Sequence, residues 1–134
     1  MSVEANKSAI REYFKEFWDN GNDAAAYAFN HADCIIRFPD TELKGPEELK
    51  AFAAAFRAGF SEIRVKADQL IGEDDMVAGR WTCDCIHTGE FMGVPASGNP
   101  VTFGGFFTYR FVDGKRAESW ELMDTPSLMA QISS

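Results

Sequence analysis

A chain of 134 residues has room for one hydrophobic core, because domains usually run to roughly 100–150 residues, so residues 1–134 are read as a single domain. With 46% hydrophobic and 25% charged residues the composition is globular, which excludes intrinsic disorder. Thirteen basic against twenty-one acidic side chains give a net charge of -8; this repels polyphosphate and leaves no basic stripe, so no nucleic acid is expected as a partner.

The first residues, MSVEANKSAIREYFKEF, are charged throughout, and no run approaches ~18 apolar residues. No membrane partner is expected, and the location expected is cytoplasmic. Cys34, Cys83 and Cys85 cannot all pair, and a disulfide between two residues on one strand face is strained, which fits a reducing compartment.

From Glu4 to Asn20 the residues Ile10, Tyr13, Phe14, Phe17 and Trp18 recur at helical spacing, and Asn20-Gly21 supplies a left-handed stop. Asn22 or Asp23 is placed to cap a short second helix through Phe29, followed by an extended piece from Cys34 to Phe38 that breaks at Pro39. Gly45-Pro46-Glu47-Glu48 opens a third helix, with Leu49, Phe52, Phe56 and Phe60 as its buried stripe. After Ser61 the period becomes alternating: a strand to about Ile71, a turn at residues 72–75, and a second strand from Met76 to about His87. Residues 88–100 are crowded with Gly and Pro and read as a loop. Val101 to Val112 and Arg116 to Met123 alternate again, joined at Asp113-Gly114. Helices followed by an antiparallel meander give an α+β domain with helices on one sheet face.

The last hairpin admits two registers. A two-residue turn at Asp113-Gly114 sets Phe103, Phe107, Tyr109 and Phe111 beside Glu118, Trp120 and Asp124; a three-residue loop sets them beside Ala117, Ser119, Glu121 and Met123. The second is preferred, because it also puts Arg110 and Glu118 on one face as a charge pair. It leaves one carboxylate, Glu121, among Phe103, Phe107 and Tyr109, where lost hydration raises its pKa toward a value suited to general acid/base work. The plainer alternative is a solvated or arginine-paired glutamate at the sheet rim.

Asp124 precedes Thr125-Pro126, so capping a final short helix competes with a catalytic role. His87 ends a strand beside the loop and is either structural or a proton-transfer and carbonyl-polarising group. Cys83, Cys85 and His87 alternate on one face, but the spacing is not that of a zinc site and no metal is expected. With no phosphate loop, nucleotide fingerprint or nucleophile elbow, no cofactor is implied.

Three strings, GEDDMVAGRWT (72–82), HTGEFMGVPASG (87–98) and DGKRAESWELMD (113–124), together with GPEEL (45–49), resemble the SnoaL-like polyketide cyclase group of the nuclear-transport-factor-2-like superfamily. The resemblance implies a cone-shaped, cystatin-like α+β barrel in which a curved antiparallel sheet and N-terminal helices enclose an apolar pocket, commonly in a homodimer. It implies ring closure of a hydrophobic polyketide-type ester by intramolecular aldol condensation, without cofactor. Glu121 stands where such cyclases carry an aspartate acid/base, His87 matches a motif histidine, and Trp18 and Phe52 fall where helices line the pocket. Phe107 replaces a strand-borne histidine, and Ala96-Ser97 replace a Pro-Thr pair.

The rival functions are an isomerase of the ketosteroid type, whose fold relatives run enolate chemistry without metals, an epoxide hydrolase, or a non-catalytic binder of small hydrophobic molecules. The hydrolase would need Asp124 and Arg80 or Arg110 to point inward with Glu121.

Overall fold

The computed structural model describes residues 2–134. Helix α1, Val3–Tyr13, opens with the Ser2 hydroxyl accepting the Ala5 amide at 3.0 Å and buries Ile10 and Tyr13. The expected single helix to Asn20 instead widens into a π-helical segment, Phe14–Asp19, in which the Asn20 amide reaches back to the Lys15 carbonyl. The tertiary contacts of this end compete with its own ladder: the Arg57 guanidinium donates to the Phe17 carbonyl, and the Asp19 carboxylate accepts the Val65 amide at 2.7 Å. Such widened turns recur where helix carbonyls are claimed from outside.

Helix α2, Ala24–Phe29, is preceded by Asn22, whose side chain accepts the Ala24 amide. Strand β1 then runs from Asn30 to Arg37, four residues earlier than the alternation suggested, because the buried Asn30 side chain closes α2 by donating to the Ala26 carbonyl. A short β2, Glu42–Lys44, returns beside it. Helix α3, Gly45–Gly59, starts on a left-handed glycine, φ +78°, where a Cβ would stand 2.9 Å from the Ala32 carbonyl oxygen. The Glu48 carboxylate accepts the Lys44 amide at 2.8 Å, as in a capping box. Of the expected stripe Leu49 is buried, with Ala53 beside it, while Phe52 and Phe56 are half-buried; Phe60 already belongs to the next strand.

The remaining strands are β3 (Phe60–Glu73), β4 (Met76–His87), β5 (Pro100–Val112) and β6 (Lys115–Met123), followed by helix α4 (Thr125–Ile132). They form one six-stranded sheet in the order β2-β1-β6-β5-β4-β3. All pairs are antiparallel except β1 with β6, which are parallel. The expected antiparallel meander forms as β3 to β6, and the departure from an antiparallel sheet is confined to the pair of β1 with β6. The chain enters the meander at the edge far from β1, and the reversals on the way leave β6 beside β1 and pointing the same way.

Irregularities in β3, one at Glu62 with φ +51°, curl the sheet. Its inner face packs on α1, α3 and the π-helical segment, and two buried aromatic-rich clusters fill the interior. Where Phe107 crosses Gly79 the sheet has no space for another atom: a Cβ on Gly79 would stand 2.5 Å from the Gln69 carbonyl oxygen and 2.9 Å from the Phe107 ring.

The hairpin between β5 and β6 combines features of both registers. Asp113 (φ +51°) and Gly114 (φ +79°) make a two-residue turn that pairs Val112 with Lys115 and Phe111 with Arg116, as a primed turn does. A bulge at Ala117 then shifts the ladder by one residue, so that Phe107 faces Glu121, Tyr109 faces Ser119, and Arg110 faces Glu118. The preferred pairs form, but the bulge produces them rather than a three-residue loop. A side effect is that Arg116 and Glu121, five residues apart, both point inward.

Candidate functional site

Between α1, α3 and the inner face of the sheet lies a cavity of about 610 Å³. Trp18, Phe52, Phe103 and Tyr109, all expected as substrate-binding residues, border it, and so do Tyr13, Arg116 and Glu121. Its exposed lining residues are Pro39, Asp40, Thr41, Ala55, Met92 and Leu122. Apolar walls with a few convergent polar groups are the usual construction of a small-molecule site.

Glu121 is held by β6 at the polar end of this cavity, with its side chain 13% exposed. Oε2 accepts the Ser119 hydroxyl at 3.1 Å and Arg116 Nη1 at 3.4 Å, whereas Oε1 has no hydrogen-bond partner among the described residues. Burial raises the Glu121 pKa, opposed by the Arg116 charge and by the Ser119 hydrogen bond, and the balance remains upward. Tyr13 and Tyr109 are also pushed up, first by burial, so both phenols stay protonated and keep an O–H to donate.

Arg116 is 1% exposed. Its Nε donates to Asn30 Oδ1 at 2.6 Å and Nη2 approaches the Tyr13 hydroxyl at 3.5 Å. The guanidinium also lies 4.7 Å from the Tyr109 ring centre and 5.2 Å from those of Tyr13 and Phe29, a cation–π cage that offsets part of its desolvation. Sequence reasoning missed Arg116 and Asn30. Strict alternation after the Asp113-Gly114 turn sends an arginine at position 116 outward whenever Glu121 points inward, and only the bulge lets both face the cavity. The nearest signal was the string Asp113-Gly114-Lys115-Arg116, a turn that commonly carries bulges.

The other expected catalytic residues lie elsewhere. His87 is fully buried, but it does not border the cavity. The Ser97 amide donates to its Nδ1 at 3.1 Å, with the Ser97 hydroxyl 2.8 Å away. An amide can only donate, so Nδ1 accepts and the proton sits on Nε2, which has no partner among the described residues. The His87 backbone also binds Asn99 and Gly98, so this residue pins the 88–99 loop to the sheet end. Asp124 accepts the Ser127 amide at 3.1 Å and caps α4; of its two readings, the structure places it in the capping one.

Phe107, the fifth residue expected to bind substrate, does not border this cavity; it packs edge-on against Phe14 at 6.0 Å and stacks on Tyr109 at 4.2 Å, both of which do. The hydrolase constellation is not assembled: Arg80 lies beside Asp68 at 3.8 Å and Arg110 beside Glu118 at 3.1 Å, and Asp124 is the cap. Among the described residues no group of three or more His, Cys, Asp or Glu is placed to hold a metal ion. None of the described helices is long and apolar enough to cross a membrane.

The fold has close structural counterparts. AclR, a hydroxylase candidate from Streptomyces galilaeus, superposes with a TM-score of 0.88 at 24% identity, covering 98% of both chains. A SnoaL-like polyketide cyclase candidate from a Jannaschia species matches with a TM-score of 0.88 at 24% identity over 98% of this chain and 93% of that one. IdmH, a polyketide cyclase candidate from Streptomyces antibioticus, matches with a TM-score of 0.84 at 22% identity over the whole of both chains. At such identities the likeness establishes the fold. A search of curated proteins finds no match. Residues 8–132 match the family described as SnoaL-like polyketide cyclase, nearly the full chain, and the protein therefore belongs to that family.

Proposed function

We propose that this protein is a cofactor-independent enzyme that closes a ring in a hydrophobic, polyketide-type ester, with Glu121 as its acid and base. The observation that carries the reading is a carboxyl with raised pKa and one unpartnered oxygen at the end of an aromatic-walled cavity of about 610 Å³. A carboxylate in such a place takes an acidic α-proton more readily than one in water. The C–H electrons pass to the neighbouring carbonyl to form an enolate, whose carbon then attacks a second carbonyl of the same molecule. The resulting alkoxide recovers the proton from Glu121, so the carboxylate is regenerated and nothing is consumed. Trp18, Phe52, Phe103 and Tyr109 offer flat faces to a planar substrate. His87 and Asp124 serve the loop and α4 and take no part in the chemistry.

The test is a ligand screen with wild type and Glu121→Gln against anthraquinone esters, steroids, terpenoid epoxides and fatty acids, read by thermal shift and then by mass spectrometry. A ligand that stabilises both proteins and is converted only by wild type supports the reading. Conversion by the Gln variant contradicts it, and binding without conversion by either favours a pure binding protein.

A second copy of the chain is proposed as the partner that covers the outer sheet face. There Ile71, Phe106, Trp120 and Leu122 are exposed by 42–62%, next to the oppositely charged Arg80 and Asp68. A two-fold contact requires such self-complementarity. Phe106→Asp is expected to convert a dimer to a monomer in analytical ultracentrifugation; a wild-type monomer would contradict the assignment.

A further inference from the structure

We propose that Arg116, with the Tyr13 hydroxyl, is the oxyanion-holding group of the cavity: the charge that Glu121 neutralises at rest passes to the substrate's enolate oxygen as the proton moves. The proposal rests on the reading of Glu121 as the proton acceptor, and it deepens that reading by naming the substrate class. The ligand must be an apolar molecule whose reacting group can carry a negative oxygen, an enolisable carbonyl or its phenolate or carboxylate analogue.

Three features of the geometry carry this. First, Arg116 is anchored from the side away from Glu121. The 2.6 Å bond from Nε to Asn30 is the short one, and Asn30 is itself fixed by donating to the Ala26 carbonyl at 2.8 Å. The contacts to Glu121 and Tyr13, at 3.4 and 3.5 Å, are long, so the guanidinium does not depend on Glu121 for its place. Second, a guanidinium has five N–H donors, and these contacts engage only three, two of them weakly. Third, Tyr13 borders the cavity and accepts from Arg116, which leaves its own O–H hydrogen free to point to a ligand.

Charge is conserved through the step. Before it, the polar end of the cavity holds one cation, Arg116, and one anion, Glu121, while Asp40 lies at the exposed rim. When Glu121 takes the α-proton, a C–H bond breaks, an O–H bond forms on Glu121, and the negative charge appears on the enolate oxygen. Arg116 then faces a neutral carboxyl and a new anion. A preorganised donor aimed at a developing charge in a water-poor site is the strongest electrostatic aid available to such a reaction. A purely structural ion pair has no use for unengaged donors on a residue that borders the cavity.

The proposal is tested by binding rather than by turnover. Glu121→Gln leaves Arg116 without its counter-charge and turns the cavity into an anion site. Isothermal titration of 2-naphthoate and of its neutral isostere 2-naphthamide is carried out with wild type, Glu121→Gln, and Glu121→Gln combined with Arg116→Met. The Gln variant is expected to bind naphthoate about tenfold or more tightly than wild type does, with naphthamide little changed, since hydrogen bonds to ionised partners are the strong ones. The gain should vanish in the double variant. Equal naphthoate affinity in wild type and the Gln variant, no naphthoate binding at all, or a gain that survives loss of Arg116 would each overturn the proposal.

Should the Gln variant fail to fold, wild type carries the same test through pH. The preference for naphthoate over naphthamide must grow as pH falls and Glu121 takes up a proton, and must be absent in Arg116→Met; a preference flat with pH overturns the proposal. A protein in which Glu121 is not the base but Arg116 still seats anions would pass this test and fail the turnover test, so the two readings fail separately.

Discussion

Replacing Arg116 by Met, which keeps much of the side chain's volume, should make folding strongly pH-dependent. At 3.4 Å and an effective dielectric of about 20, the attraction between Arg116 and Glu121 is roughly 5 kcal/mol. In wild type that attraction opposes the upward push of burial on the Glu121 pKa. Without it, burial stands against the Ser119 hydrogen bond alone, and the carboxyl rises further. A carboxyl whose native pKa lies above its unfolded one, about 4.3 for glutamate, contributes stability that is fully present below the unfolded pKa. That contribution is lost as pH rises through the native pKa, at about 1.4 kcal/mol per pH unit. The Arg116→Met protein should therefore lose about 1.4 kcal/mol of unfolding free energy per pH unit as pH rises from the unfolded pKa of about 4.3 until the raised native pKa is passed, relative to a double variant that also carries Glu121→Gln. Wild type should lose less over the same range. Urea unfolding followed by tryptophan fluorescence at intervals of half a pH unit measures this. Parallel curves for Arg116→Met and the double variant would refute the assignment of Glu121 as a buried carboxyl held down by Arg116.

Two further substitutions test the frame around the site. Gly79→Ala forces a Cβ against the Gln69 carbonyl oxygen and the Phe107 ring and should cost about 2 kcal/mol or more in chemical denaturation; a neutral effect would mean that the sheet yields there. Asp124→Ala removes the cap of α4 and should cost about 1 kcal/mol while turnover persists, and a collapse of turnover in a folded protein would return Asp124 to the catalytic group.

The frame was legible because its signals are local. Helical spacing in residues 10–18, the Gly45-Pro46 opening, alternation along β3 to β6 and the Asp113-Gly114 turn are each written within a few residues. They supplied the fold class and most element limits. The parallel partnership of β1 with β6 was not legible, because it depends on which edge the chain reaches after α3, and no residue encodes that alone. The π-helical segment was hidden for a similar reason, since Arg57 and the Val65 amide act on it from distant parts of the chain.

Within the site, the Phe107 to Glu121 pairing followed from placing Arg110 opposite Glu118, and that pairing brings Glu121 onto the cavity face. Arg116 was hidden by one extra residue. A bulge inverts the inside–outside parity of everything on one side of it, so an arginine that strict alternation would send outward becomes the most buried charge among the described residues. His87 is a different case: a motif histidine beside a Gly-rich loop invites a chemical role, and the structure sets it outside the cavity lining with its Nδ1 accepting from the Ser97 amide.

The central claim, that Glu121 moves a carbon-bound proton inside the aromatic cavity, is tested most directly by proton NMR of a bound polyketide-type ester in deuterated water. The account predicts that wild type exchanges the ester's acidic α-hydrogen for deuterium and that Glu121→Gln binds the same ester without exchanging it. Exchange at the wild-type rate in the Gln variant would contradict the account.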